Sequence, residues 1–136
     1  MIYLDSSAIV KLVRLEAEST PLTDWLACRA EPAQLLSSAL VEVEVARALR
    51  RVAPEALPGV SVVLARTIRV DINAAIRARA AAYPDAMLRS LDAIHLATAE
   101  FVGARPGAQL DAFLTYDGKL AEAATAIGLP VASPGL

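Results

Sequence analysis

Two short apolar runs of this chain stop on a carboxylate, and two helical apolar stretches carry one inside them. Met1-Ile2-Tyr3-Leu4 ends at Asp5, and Ala112-Phe113-Leu114-Thr115-Tyr116 ends at Asp117. Glu44 interrupts Leu40-Val41-Glu42-Val43-Glu44-Val45-Ala46, and Asp92 is embedded in Ser90-Leu91-Asp92-Ala93-Ile94-His95-Leu96-Ala97. A carboxylate taken from water is costly unless it is paired, hydrogen-bonded or bound to a metal. Lys119 and Arg47 are the basic residues expected in the immediate neighbourhood of the four. The fold must therefore bring these acids to a common edge, where a divalent cation can offset their charge.

The totals narrow the choice of fold and compartment. A chain of 136 residues suits one domain spanning residues 1–136 with a real core. Its mean hydropathy of +0.47 is high, but alanine supplies much of it. No stretch reaches the roughly 18 uninterrupted apolar residues of a membrane span. The longest uncharged stretch, Ala123 to Leu136, is broken by Gly128, Pro130, Pro134 and Gly135. The amino terminus lacks a basic region, and Asp5 falls where a signal peptide is apolar. These features lead to the expectation of a soluble, cytoplasmic protein without a membrane partner. Cys28 is the only cysteine and His95 the only histidine, too few soft ligands for a structural zinc site. The net charge of −2 neither advertises nucleic-acid binding nor forbids a local basic patch.

Strand-like and helix-like segments alternate along the chain. Ile2–Leu4, Gln34–Ser37, Thr67–Val70, Asp111–Thr115 and Pro130–Ala132 read as strands. Helical spacing covers Ala8–Leu15, a segment from Pro21 towards Cys28, about Ser38–Val52, Ile72–Ala82, Leu91–Val102 and Gly118–Ile127. Ser6 and Ser7 are the expected caps of the first helix, and Trp25 and Leu26 are expected to face inward. Glu55 to Arg66 is ambiguous, because Pro58 and Gly59 interrupt an apolar pattern. The alternation predicts an α/β sandwich with a mostly parallel sheet.

In such sheets, sites form outside the carboxyl ends of the strands. Asp5 and Asp117 follow strands. Glu44 lies on the apolar face Val41-Glu44-Val45-Ala48, and Asp92 stands in the first turn of its helix, where the backbone dipole favours an anion. Clustered acids repel, so one would take up a proton unless a cation were present. Their oxygen-only donor chemistry suits Mg²⁺ or Mn²⁺. Such an ion lowers the pKa of a water and stabilises the charge that develops on a phosphate under in-line attack. Three of the acids also have a plainer reading, since Asp5 and Asp117 could cap helices and Asp92 could be an ordinary first-turn acid; Glu44, an acid on an apolar helix face, has the weakest one.

Tyr3-Leu4-Asp5-Ser6-Ser7-Ala8, Glu44-Val45-Ala46-Arg47-Ala48-Leu49, Leu91-Asp92-Ala93-Ile94-His95-Leu96-Ala97-Thr98-Ala99 and Leu114-Thr115-Tyr116-Asp117-Gly118-Lys119-Leu120 resemble the successive motifs of PIN domains. The closest resemblance is to the VapC-type toxins of bacterial toxin–antitoxin pairs, and it runs on to Gly128-Leu129-Pro130-Val131. The resemblance implies a three-layer α/β/α PIN-like sandwich and a Mg²⁺- or Mn²⁺-dependent endoribonuclease acting on RNA. It also implies a homodimer, and a cognate antitoxin that occludes the site in a heterotetramer or larger assembly. By motif match, Asp5, Glu44, Asp92 and Asp117 are the catalytic acids. Asp5 and Asp92 are the metal ligands, with Glu44 and Asp117 acting directly or through water. Glu42 competes with Glu44 for the helix position. Glu44 is favoured because Arg47-Ala48-Leu49 follows it at the expected distance, and two residues of separation put the two acids on different helix faces.

Ser6 and Thr115, beside the metal acids, could hydrogen-bond ligands or bound water. Lys11, Arg14, Arg47 and Lys119 are candidates for contacting RNA or antitoxin, as are Arg50 and Arg51. His95 reads as a hydrogen-bonded structural residue rather than a general base. Two other readings remain open: a PIN-type nuclease in RNA processing outside a toxin system, and a non-catalytic protein-binding module.

Overall fold

The computed structural model describes residues 1–136 and is organised around five strands in the order β3-β2-β1-β4-β5. The strands are β1 (Ile2–Leu4), β2 (Leu35–Ser38), β3 (Ile68–Val70), β4 (Ala112–Leu114) and β5 (Val131–Ala132). All four pairings are parallel, so the sheet is wholly rather than mostly parallel. Between the strands run α1 (Ser6–Val13), α2 (Ser19–Ala27), α3 (Val41–Val52), α4 (Val60–Ala65), α5 (Ala74–Ala82), α6 (Ser90–Gly103) and α7 (Gly118–Ala126). The ambiguous stretch after α3 resolves into a 3-10 turn at Pro54–Gly59 followed by α4.

Strand alternation explains why β1 and β4 are apolar throughout. Ile2, Leu4, Ala112 and Leu114 point to one face and join Ala8, Ile9 and Leu22 of α1 and α2 with Val41, Val45 and Leu49 of α3. Tyr3 and Phe113 point to the other face and pack with Leu96 and Ala99 of α6 and Leu120 and Ala124 of α7. A sheet covered on both faces reads as continuous apolar runs. The Tyr3 and Phe113 rings stack with centroids 5.2 Å apart and planes 2° from parallel. The result is the α/β/α sandwich.

This topology locates the functional edge. From β1 the chain winds outward through β2 to β3, and later returns to β4 on the other flank of β1. The winding reverses between β1 and β4, and the carboxyl ends of two such strands open a crevice there. Asp5 follows β1 directly, and Asp117 stands three residues beyond β4.

Some local expectations are corrected. Asp5, not Ser6 or Ser7, caps α1, its side chain accepting from the Ala8 amide. The first helix ends at Val13, and α3 starts at Val41 because β2 runs on to Ser38. Trp25 and Leu26 are only partly buried against the core, while Leu22 is the fully buried residue of α2.

Candidate active site

Asp5, Glu44, Asp92 and Asp117 all line one cleft of about 420 Å³ at the carboxyl edge of the sheet. They arrive from four different places: the end of β1, the first turn of α3, the first turn of α6 and the cap of α7. Ser6, Ser7 and His95 share the walls.

Asp5 is buried, at 3% exposure. Its Oδ1 accepts from the Ser7 hydroxyl at 2.6 Å and the Ala8 amide at 2.9 Å, and its Oδ2 accepts from the Thr115 hydroxyl at 2.5 Å. Burial pushes its carboxyl above the ordinary aspartate range, against the lowering effect of the His95 charge and the donors from Ser7, Thr115 and Ala8. Thr115 also receives the Asp117 amide at 3.1 Å, and Ser7 receives the Tyr116 amide at 2.8 Å. The loop carrying Asp117 is thereby tied to the loop carrying Asp5.

Glu44 is held from two sides. Its Oε1 accepts from the Ser6 hydroxyl at 2.5 Å and from His95 Nε2 at 2.7 Å. Burial acts to raise its carboxyl, but the His95 and Ser6 hydrogen bonds and the His95 and Arg89 charges outweigh that and hold it below the ordinary glutamate range. A carboxylate only accepts, so Nε2 donates to Glu44, and Nδ1 meets the Tyr3 hydroxyl at 2.8 Å. The Tyr3 oxygen in turn receives the Ser38 amide at 3.1 Å, and burial raises the phenol far above its usual range. His95 therefore orients Glu44, as the structural reading expects.

Asp92 and Asp117 share a cation from the protein itself. Arg89 Nε donates to Asp92 Oδ2 at 2.9 Å and its Nη2 to Asp117 Oδ2 at 3.0 Å. Asp117 uses its other oxygen to cap α7 through the Lys119 and Leu120 amides. Capping and site membership thus coexist at Asp5 and Asp117 and are not alternatives. Arg89 corrects the expectation that Lys119 and Arg47 are the basic neighbours of the acids. The i,i+3 spacing from Arg89 to Asp92 carried the signal, but its reach to Asp117 depends on how α6 and α7 pack.

Of Glu42 and Glu44, Glu44 is the one that lines the cleft. Glu42 is exposed and pairs with Arg69 at 2.7 Å, outside the cleft. Among the candidate cations, Lys11 lines the cleft but is engaged by Glu16 and Glu18, each at 2.7 Å. Arg14 lies on a separate groove beside α2, Lys119 lines a neighbouring groove shared with Arg89 and Asp92, and Arg47 is exposed on α3 away from the walls. Arg51 does line the cleft and forms no ion pair with any carboxylate. Glu44, Ala48 and Arg51 recur at i, i+4 and i+7, which sets Arg51 about 10 Å along the helix axis from Glu44.

The donor chemistry fits a hard divalent cation, since every free ligand atom in the cleft is a carboxylate oxygen and the one imidazole is bonded on both sides. No three of these groups converge as a ready-made coordination set. The Arg89 guanidinium instead bridges Asp92 and Asp117.

Comparison with known proteins agrees with this architecture. The sequence model of the PIN domain family matches residues 2–126. Ribonuclease VapC35 of Mycobacterium tuberculosis is 56% identical over 135 residues, covering 99% of this chain and 98% of that one. Ribonuclease VapC46 of the same organism is 40% identical over 133 residues, covering 98% of this chain and 97% of the other. The crystal structure of Mycobacterium tuberculosis VapC20, described as a sarcin–ricin loop cleaving toxin, superposes with a TM-score of 0.73 over 98% of this chain and 100% of its own; at 18% identity it speaks for the fold. The chain belongs to the PIN domain family, in its VapC branch.

Proposed function

We propose that this chain is a ribonuclease, the toxin half of a toxin–antitoxin pair, which hydrolyses RNA phosphodiester bonds with Mg²⁺ or Mn²⁺. One observation carries the chemistry: four carboxylates from four elements share a single cleft at the switch point of the sheet. Membership of the VapC branch supports the RNA substrate and the antitoxin partner, since the full-length relatives are named ribonucleases.

Asp5 and Asp92 would hold the cation, with Glu44 and Asp117 binding it directly or through water. When bound, the ion supplies charge neutralisation at the scissile phosphate and an acidified water. The protein's own part is positioning. Ser7, the Ala8 amide and Thr115 fix Asp5, and Ser6 and His95 fix Glu44. Arg51 at the cleft wall would grip a phosphate flanking the scissile one. A cytoplasmic homodimer that joins its antitoxin in a heterotetramer or larger complex is the assembly we propose.

Induced expression in a bacterial host tests the biological reading. Growth is expected to arrest with the wild-type chain, to continue with Asp92→Asn, and to recover on co-expression of an antitoxin encoded beside it. Unimpeded growth with soluble, RNA-cleaving protein would point to RNA processing outside a toxin system.

A further inference from the structure

The four acids divide into two pairs by what neutralises them. Asp5 and Glu44 are held by hydroxyls, an amide and an imidazole, all fixed by the fold. Asp92 and Asp117 are held by Arg89, whose side chain is 65% exposed while theirs are 13% and 33% exposed. Arg89 sits on extended backbone just before α6, at φ −70° and ψ 151°. It stands on the wall between the cleft and a neighbouring groove lined by Met87, Leu88 and Lys119, so its guanidinium has space on either side.

We infer that Arg89 is a displaceable counter-ion: it bridges Asp92 and Asp117 in the metal-free protein, yields them to the divalent cation, and then turns its fork to an RNA phosphate. The inference rests on the metal-dependent nuclease reading above. Exposed ion pairs hold weakly, whereas a divalent ion binds carboxylate oxygens directly with twice the charge. A guanidinium fork matches a phosphate as well as it matches a carboxylate. Exchanging one cation for another keeps Asp92 and Asp117 neutralised throughout. Arg89 is thus a positioning residue with opposite effects on the two ligands. It competes with metal and recruits substrate.

Calorimetric titration with Mn²⁺ alone, on the wild type, Arg89→Ala and Arg89→Lys, reads the first half. Arg89→Ala is expected to bind Mn²⁺ roughly threefold to tenfold more tightly than the wild type, with Arg89→Lys between them. Binding of a 2′-O-methyl RNA oligonucleotide to the Mn²⁺-loaded proteins reads the second half. Arg89→Ala is expected to bind it more weakly, with a log affinity against log salt slope shallower by about 0.7. Arg89→Lys is expected to restore most of that slope. Circular dichroism confirms that each variant is folded. Equal or weaker Mn²⁺ binding by Arg89→Ala overturns the inference alone, and tighter Mn²⁺ binding with unchanged RNA affinity overturns the transfer to phosphate. Absence of Mn²⁺ binding by every protein overturns the metal reading and this inference with it.

Discussion

His95 Nε2 lies 2.7 Å from Glu44 Oε1, so the one histidine of the chain orients a carboxylate and does not face solvent. The imidazole is 2% exposed and its other nitrogen meets the Tyr3 hydroxyl. Removing either end leaves buried polar groups without partners. Tyr3→Phe orphans the Ser38 amide and is expected to cost about 1–3 kcal/mol. His95→Ala adds a cavity and is expected to cost about 2 kcal/mol or more, together with a tenfold to hundredfold loss of cleavage as Glu44 loses its support. Urea unfolding and cleavage rates check both. An unchanged midpoint for either variant would contradict a supporting role for the Tyr3–His95–Glu44 hydrogen bonds.

Asp5 and Glu44 give opposite pH dependences in metal-free buffer. Burial raises Asp5, so its folded form holds a proton at pH values where the unfolded chain has released it. That contribution is complete below about pH 4 and is lost as pH rises through the folded value. Glu44 is lowered, so its contribution is present above the ordinary glutamate range and is lost as pH falls through the folded value. Asp5→Asn is therefore expected to flatten the decline of stability on the alkaline side of pH 4, and Glu44→Gln to flatten the decline on the acid side. Melting temperatures in chelator from about pH 3 to pH 7 resolve the two. Identical pH profiles for both variants and the wild type would refute the assignment.

Charge partners separate the cations of the cleft. Lys11 is 12% exposed at its side chain, paired to Glu16 and Glu18 and set 4.7 Å over the Tyr116 ring. Lys11→Ala is expected to lower stability with little change in the salt dependence of RNA binding. Arg51 has no such partners, and Arg51→Ala is expected to leave stability within about 0.5 kcal/mol while reducing the salt slope for single-stranded RNA by about 0.7. Arg47→Ala, outside the cleft, serves as the reference. A reversed pattern, with Lys11 controlling the slope, would show that the ion pairs open on RNA.

Local sequence patterns and the resemblance to PIN-domain motifs together singled out the four acids that line the cleft. Glu44 on an apolar helix stripe, Asp5 and Asp117 after apolar runs and Asp92 in a first turn are local patterns, and the switch-point rule collects them at one edge. The order of the strands and the full parallelism of the sheet are tertiary facts that no window of sequence contains. Arg89 was missed for the same reason, since its bond to Asp117 spans 28 residues. Its presence also alters an expectation drawn from repulsion among the acids. Neutralising Asp117 removes its ion pair with Arg89, and Asp5 is raised by burial rather than by its neighbours' charge, so repulsion does not dominate the metal-free cluster. The serines beside Asp5 show how capping can be misassigned: Ser7 and Ser6 donate to Asp5 and Glu44, and the carboxylate itself takes the cap.

Cleavage of RNA in the presence of Mn²⁺ by the wild type, Asp92→Asn and Glu42→Gln tests the central claim most directly. Four acids in one cleft predict that Asp92→Asn loses activity by about a hundredfold or more while remaining folded, and that Glu42→Gln, whose acid pairs with Arg69 on the surface, retains it. Equal cleavage by Asp92→Asn and the wild type, with contaminating nucleases removed, would contradict the account.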